Sequence, residues 1–253
     1  MDQIKLKALV KAIVARSTAA IVPHGMNLYA DLRRCFPDQA FRTIFDVGAN
    51  VGQTALVLAR LFPEARIHSF EPFADAHRQL IARTRSLNVI CHASALGEVD
   101  ARITAHAQGA STTNTLLAAG PCDGEQTGAQ FIDVLTLDGF CAAADIKTIE
   151  LMKIDTEGFD LKVLHGAARL LGTQAVKVVQ VEASMNATNS KHVPFAAFVD
   201  YFDRMDYRLF GVYEQTREWS GEARLRFANP VFVCRDWADR KIRRSSAAGT
   251  RAH

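Results

Sequence analysis

The chain has 253 residues, of which 49% are hydrophobic, and a formal net charge of +3. That is enough apolar material for one large domain with appendages, and too mild a basic excess to point to nucleic acid as a partner. Five scattered cysteines without a C-x-x-C pair suit free thiols in a reducing cytosol, not a disulfide framework or a zinc site.

No apolar run reaches the roughly 18 residues of a membrane span. Between Ile4 and Arg16, Ile4, Leu6, Leu9, Val10, Ile13 and Val14 recur at helical spacing with lysines between them. This amphipathic helix is expected to pack on the core or on a second copy of the chain. Lys5, Lys7 and Lys11 also suit an anionic membrane surface. Charges within this segment and the lack of a cleavage site argue against secretion, so a cytoplasmic location is expected.

From Thr43 the chain alternates strand and helix. Strands are expected at Thr43–Val47, Arg66–Phe70, Asn88–Ser94, Thr148–Ile154 and Val176–Val181, and helices at Gln53–Leu61, Asp75–Ser86, Thr156–Leu171 and Pro194–Met205. Late strands at Arg208–Tyr213 and Pro230–Cys234 form a hairpin-like pair. Such alternation indicates an α/β fold, a mostly parallel sheet with helices on both faces. Between Glu98 and Ile146 the pattern loosens. Ala101–Ala107 and Phe131–Leu135 are extended, and the polar loop Gly109–Gly128 offers Ser111, Thr112 and Thr113 as candidate ligand contacts. The basic tail from Asp239 is expected to be disordered.

The stretch Thr43-Ile44-Phe45-Asp46-Val47-Gly48-Ala49-Asn50-Val51-Gly52-Gln53-Thr54 runs from a strand through a Gly-rich turn into a helix, which leaves backbone N–H groups facing a ligand. Asn50 stands where a dinucleotide fingerprint needs its second glycine, so a pyrophosphate would meet a side chain. Asp46 suits an ammonium group, and Glu71, about twenty residues on, suits a ribose diol. An amino-acid end with a ribose end describes S-adenosylmethionine better than NAD. Asp46, Glu71, Asp155 and Glu182 all end presumed parallel strands, where the ligand crevice of an open sheet lies. Asp155 can orient the cofactor, accept a hydroxyl proton, bind a metal with Glu182, or cap the following helix. Lys153 shares a strand face with Asp155 and is expected to pair with it. Glu182 suits either the site or a structural ion pair. His192 in the next loop is the histidine best placed to act as a base.

These residues resemble the FkbM-type S-adenosylmethionine-dependent methyltransferases. The likeness runs from Phe45-Asp46-Val47-Gly48-Ala49-Asn50-Val51-Gly52 through Phe70-Glu71-Pro72 and Thr136-Leu137-Asp138 to Leu151-Met152-Lys153-Ile154-Asp155-Thr156-Glu157-Gly158, and on to Glu182. It covers about Phe41 to Phe210. It implies a Rossmann-like class I methyltransferase fold with a mostly parallel seven-stranded sheet and a late antiparallel strand. It also implies methyl transfer to a hydroxyl of a sugar, glycan or polyketide-type product. By motif position the cofactor would be held by Asp46, Gly48, Ala49, Asn50, Gly52, Thr54, Glu71 and Pro72, with Ser94 and Ala95 bordering the adenine and Asp155 at the methyl end. Asp155, Glu157, Glu182 and His192 are the candidate catalytic group. A divalent metal is compatible with these acids, but no ligand set is assigned.

The expected organisation is a helical segment over 1–40 that caps the site or mediates self-association, a methyltransferase domain over 41–237, and a tail over 238–253. A nicotinamide oxidoreductase and an inactive cofactor-binding scaffold are the rival functions. N-methylation is disfavoured, because Asp155-Thr156-Glu157-Gly158 stands where an N-P-P-Y type element would.

Overall fold

The computed structural model describes residues 3–7, 9–10, 22–108, 126–218 and 221–239. Ser111, Thr112 and Thr113, most of the expected first helix and the tail beyond residue 239 lie outside them. Residues 3–7 and 9–10 are helical, and Ile4 packs against the core.

In chain order the elements are α1 (Leu28–Cys35), β1 (Thr43–Val47), α2 (Gln53–Leu61), β2 (Arg66–Phe70), α3 (Ala74–Thr84), β3 (Val89–His92), β4 (Ala95–Leu96), β5 (Ala101–Gln108), β6 (Gln126–Leu135), α4 (Leu137–Ala143), β7 (Ile149–Ile154), α5 (Asp160–His165), α6 (Ala168–Gly172), β8 (Val176–Val181), β9 (Ala183–Ser184), α7 (Phe195–Arg204), β10 (Tyr207–Arg217) and β11 (Leu225–Cys234). Seven strands run in the order β10-β11-β8-β7-β1-β2-β3, and the short β9 pairs with β11. From β3 to β8 the pairing is parallel, whereas β11 is antiparallel to β8 and β10 to β11. This is the Rossmann-like sheet that the alternation implies. The central strands are buried on both faces, hence their near-continuous Ile, Val, Leu and Met runs.

Two features differ from the sequence reading. The segment after β3 does not stay irregular: β4, β6 and β5 form a separate three-stranded sheet. The helix expected up to Leu171 is broken into α5 and α6 at Gly166. A Cβ there would lie 1.9 Å from the Gly97 carbonyl oxygen, so the chain from β4 crosses where a side chain would be. Asp138 completes the break by accepting the Arg169 and Leu170 amides at 2.8 and 3.0 Å, which starts α6 from another element.

Helix α1 docks on the late hairpin. Asn27 caps it, and the fully buried Asp31 accepts the Tyr213 hydroxyl at 3.0 Å and the Gly25 amide at 2.7 Å. No helix among the described residues is long and apolar enough to cross a membrane.

Candidate active site

Register decides which acids meet. Asp46 pairs with Ser69 on β2 and Lys153 on β7, and Lys153 pairs with Gln180 on β8. These four therefore share one face as a row across the sheet. Two residues further along each strand, on the same face, come Glu71, Gly48, Asp155 and Glu182. The rim row thus contains three acids, not four. Asp46 sits one pleat repeat below it, and Gly48 takes its place at the rim.

A cavity of about 280 Å³ lies above this rim. Gly48, Ala49, Asn50, Thr54, Glu71, Pro72, Ala95 and Asp155 of the expected cofactor residues line it. Asp46, Gly52 and Ser94 do not. Gly52 instead packs against Leu80 of α3. Asp46 has zero exposure, and neither oxygen has a hydrogen-bond partner in normal geometry. Burial raises its carboxyl to about 6; Lys153 and the Ala55 amide pull it down and Asp155 pushes it up. Asp46 acts from behind the cavity wall, on Lys153 and on the start of α2.

Glu71 lines the cavity beyond the end of β2. Its two oxygens accept the Asn50 and Phe73 amides, each at 2.9 Å, which locks the turns after β1 and β2 onto one carboxylate. Burial nevertheless raises it to about 7. Phe70, Phe73 and Leu96 add apolar wall to the cavity, and Asp155 and Glu157, beyond the end of β7 on the far side of β1 from Glu71, line it too. A ligand with a cationic head, a flat apolar part and a diol has matching groups along this wall.

Gly48 sets the closeness of the turns after β1 and β7. At φ 78°, it would place a Cβ 1.9 Å from the Asp155 carbonyl oxygen, and the Asp155 amide donates to the Val47 carbonyl at 3.0 Å. Any side chain here would strain the backbone and push the two turns apart.

The catalytic candidates converge. Lys153 donates to Asp155 at 2.7 Å. His192 Nε2 lies 2.8 Å from Glu182 and 3.7 Å from Glu157. Asp155, Glu157 and Glu182 each offer an oxygen within 4.8 Å of the others. Asp155 does not cap the following helix, whose N-cap is Phe159. Burial favours the neutral form of Asp155, yet the Lys153 charge and hydrogen bonds outweigh it and hold the carboxyl below its usual range. Burial raises Glu182, and the neighbouring Asp155 charge adds to this against the pull of His192. Glu157 is raised by burial and by Asp155 and Glu182. His192 loses by burial but gains more from the Glu182 hydrogen bond and the three carboxylate charges, so it stays protonated above its ordinary value.

Two residues of the cluster lay outside the sequence reading of the site. Lys153 is more than a partner of Asp155, for it lines the cavity and feels Asp46 and Glu182 as well. The signal was a lysine in an apolar strand, two residues before a rim acid. Asn189 holds the far side of His192, with Nδ2 at 2.8 Å and Oδ1 at 3.2 Å from Nδ1. Its amide can therefore donate to a neutral imidazole or accept from an imidazolium. Asn189 is itself fixed by the Arg226 carbonyl at 3.1 Å. No spacing rule marks it.

Comparison with known proteins bears on this arrangement. A curated relative, "Methyltransferase 1" of Beauveria bassiana (strain ARSEF 2860), is 28% identical over 151 residues, covering 52% of this chain and 59% of that protein. The chain thus matches a little over half of that relative's length. Among solved structures, a precorrin-6y C5,15-methyltransferase from Geobacter metallireducens GS-15 aligns with a TM-score of 0.44 at 11% identity over 81% of this chain and 85% of that one. Aeropyrum pernix fibrillarin, solved with natively bound S-adenosyl-L-methionine, aligns with a TM-score of 0.45 at 10% identity over 89% and 74%. The family model described as the methyltransferase FkbM domain matches residues 46–209, well over half of the chain. That match runs from Asp46 through the rim acids and His192, so the chain belongs to the FkbM methyltransferase domain family.

Proposed function

We propose that this methyltransferase uses S-adenosylmethionine to methylate a hydroxyl of a sugar, glycan or polyketide-type acceptor. The observation that carries the reading is that the Lys153–Asp155 pair lines the same cavity as Glu71, while Glu182, paired with His192 just outside that lining, brings an oxygen within 4.8 Å of Asp155 and Glu157.

The residues of the cavity fit the cofactor. Glu71 would take the ribose diol, Phe70, Phe73 and Leu96 would flank the adenine, and Asp155 and the first-turn amides of α2 would meet the amino-acid end. When bound, the cofactor supplies an electrophilic methyl on a sulfonium, which leaves as a neutral thioether. The chain's own work is to align an acceptor hydroxyl with that methyl and to take its proton. Alignment of two bound reactants lowers a barrier by roughly 7–11 kcal/mol. Glu182, its carboxyl raised above the ordinary value by burial, accepts the proton as the O–CH₃ bond forms, and His192 at 2.8 Å balances the charge. Asp155, held ionised by Lys153, fixes the geometry. The triad of carboxylate oxygens has a size suited to a hard divalent ion, but Lys153 and His192 already supply its cationic partners.

Calorimetric titration of S-adenosylhomocysteine with NAD as control, followed by radiolabelled methyl transfer to hydroxylated acceptors, tests the reading. Micromolar homocysteine-nucleoside binding with no NAD response and label in an ether linkage is expected. Binding of NAD alone, or label on nitrogen, would overturn it.

A further inference from the structure

A second cavity, of about 200 Å³, lies between the start of α1, strand β8 and the bulged strand β10. It is smaller than the roughly 300–1,000 Å³ of sites for drug-sized ligands, so it suits a single ring. We propose that this cavity seats the acceptor as a neutral sugar ring, with the hydroxyl to be methylated turned toward Lys153 and Glu182. The inference rests on the hydroxyl-transfer reading and names the substrate class and its seat.

Three observations support the assignment. The first is position. Gln180 lines this cavity and is the β8 partner of Lys153, which lines the cofactor cavity, so the two side chains leave the sheet on one face. They stand one strand step, about 4.8 Å, apart. Glu182 follows Gln180 by two residues along the same face. The second is hydrogen-bonding capacity. Gln180 is 5% exposed, and among the described residues neither its side-chain amide nor the Tyr29 hydroxyl makes a hydrogen bond. Burial and the Glu214 charge raise the Tyr29 phenol, Lys153 lowers it and Asp46 raises it further, so this ring reaches the charged row from α1. A buried amide left unpaired is unfavourable, and a hydroxyl, at once donor and acceptor, satisfies it. The other polar groups of the lining are engaged. Asn27 accepts the Ala30 amide at 3.0 Å, the Tyr213 hydroxyl donates to Asp31 at 3.0 Å, and Glu214 accepts from Asn229 at 2.6 Å.

The third is chemistry. The lining holds one carboxylate, Glu214, and no lysine or arginine, which disfavours an anionic acceptor. Met26, Leu28 and the tyrosine rings offer apolar surface to the face of a ring. Polar groups on two walls, α1 and β8, suit hydroxyls radiating from a saturated ring better than a flat phenol. Glu214 stands within the irregular register of β10 at φ 47°, a left-handed conformation of the kind that gathers at ligand sites. Apart from Gln180, every residue of this lining falls outside residues 46–209, so the seat is built mainly by segments the family match does not cover.

The test uses the full chain saturated with S-adenosylhomocysteine, titrated with glucose and rhamnose as neutral rings, glucuronate as the anionic one and catechol as a flat phenol. At least one neutral sugar should bind at least tenfold more tightly than glucuronate and catechol. Tyr29→Phe combined with Gln180→Leu removes both unengaged groups and should weaken that sugar at least tenfold, with S-adenosylhomocysteine affinity unchanged. Arg102→Gln, at a remote exposed position on β5, should leave sugar binding intact. If the double variant fails to fold, Tyr29→Phe alone, which deletes one oxygen, should still weaken the sugar by about threefold or more. No binding of either sugar, tighter binding of glucuronate or catechol, or sugar affinity that survives these substitutions or falls equally with Arg102→Gln would overturn the seat. A wild type that binds no S-adenosylhomocysteine would instead overturn the parent reading.

Discussion

Replacing Asp46 by asparagine should make the protein more stable at alkaline pH and leave its stability nearly unchanged in acid. The carboxyl is fully buried with no hydrogen-bond partner in normal geometry, only a weak pull from the Ala55 amide, and burial raises its pKa from near 4 to about 6. A group whose folded pKa is raised binds its proton more tightly when folded, so the carboxylate's cost grows as pH climbs from about 4 to about 6 and is complete above that. Two units at about 1.36 kcal/mol each amount to about 3 kcal/mol at pH 8. The Lys153 attraction is already part of that balance. An asparagine amide also needs partners, so the expected gain is about 1–3 kcal/mol at pH 8, falling to about a third of that at pH 4.5 and vanishing only near pH 3. Urea unfolding of both proteins across pH 4.5–8.5, with the slope checked for constancy, measures it. A difference independent of pH, or an asparagine variant that is less stable at pH 8, would refute the account of Asp46 as an ionised burden. Because Asp46 lies behind the cavity wall, S-adenosylhomocysteine affinity should fall less in this variant than in one altered at Glu71.

Three further outcomes follow from the geometry. Gly48→Ala forces a side chain into the left-handed region and onto the Asp155 carbonyl, and should cost at least about 3 kcal/mol in urea unfolding or prevent folding. S-adenosylhomocysteine affinity should rise between pH 6 and 8 as Glu71, raised to about 7, ionises; Glu71→Gln should bind about tenfold more weakly at pH 8 and lose this pH dependence in calorimetry. Glu182→Gln and His192→Gln should each lower kcat by about 10²–10⁴-fold while S-adenosylhomocysteine binds within about twofold of wild type; an unchanged kcat in both would remove them from proton transfer.

The sheet was legible because its strands are short apolar runs ending at acids and glycines. β1, β2, β8 and α2 begin and end where hydrophobic patterning puts them. The β4–β6 sheet was not, because Ala95–Leu96 is two residues long and pairs with a strand some forty residues away. The break at Gly166 arises from the approach of Gly97, a contact that local periodicity does not encode. In the site, residue types announced the chemistry and register decided the outcome. Asp46 and Glu71 both stand near strand ends in the sequence, yet a difference of one pleat repeat buries the first and leaves the second on the cavity. Lys153, easily taken for a local ion-pair partner, becomes a cavity cation only when β1 and β7 are laid side by side. Asn189 joins the cluster through a loop fold that no motif records.

The contact between Gly48 and Asp155 is made by main chain on main chain. The distance from the Gly48 turn to the Asp155 turn is thus a property of the main chain, indifferent to the identity of the side chains nearby. Residues 185–191 and, at the hairpin end, 218 and 221–226 lie outside that frame, as do residues 26–29, 213 and 214 of the second cavity. On the proposed reading, variation there would change which molecule is methylated while the Gly48–Asp155 contact stays constant. Such a division of labour makes the molecule a ready scaffold for exchanging acceptor loops.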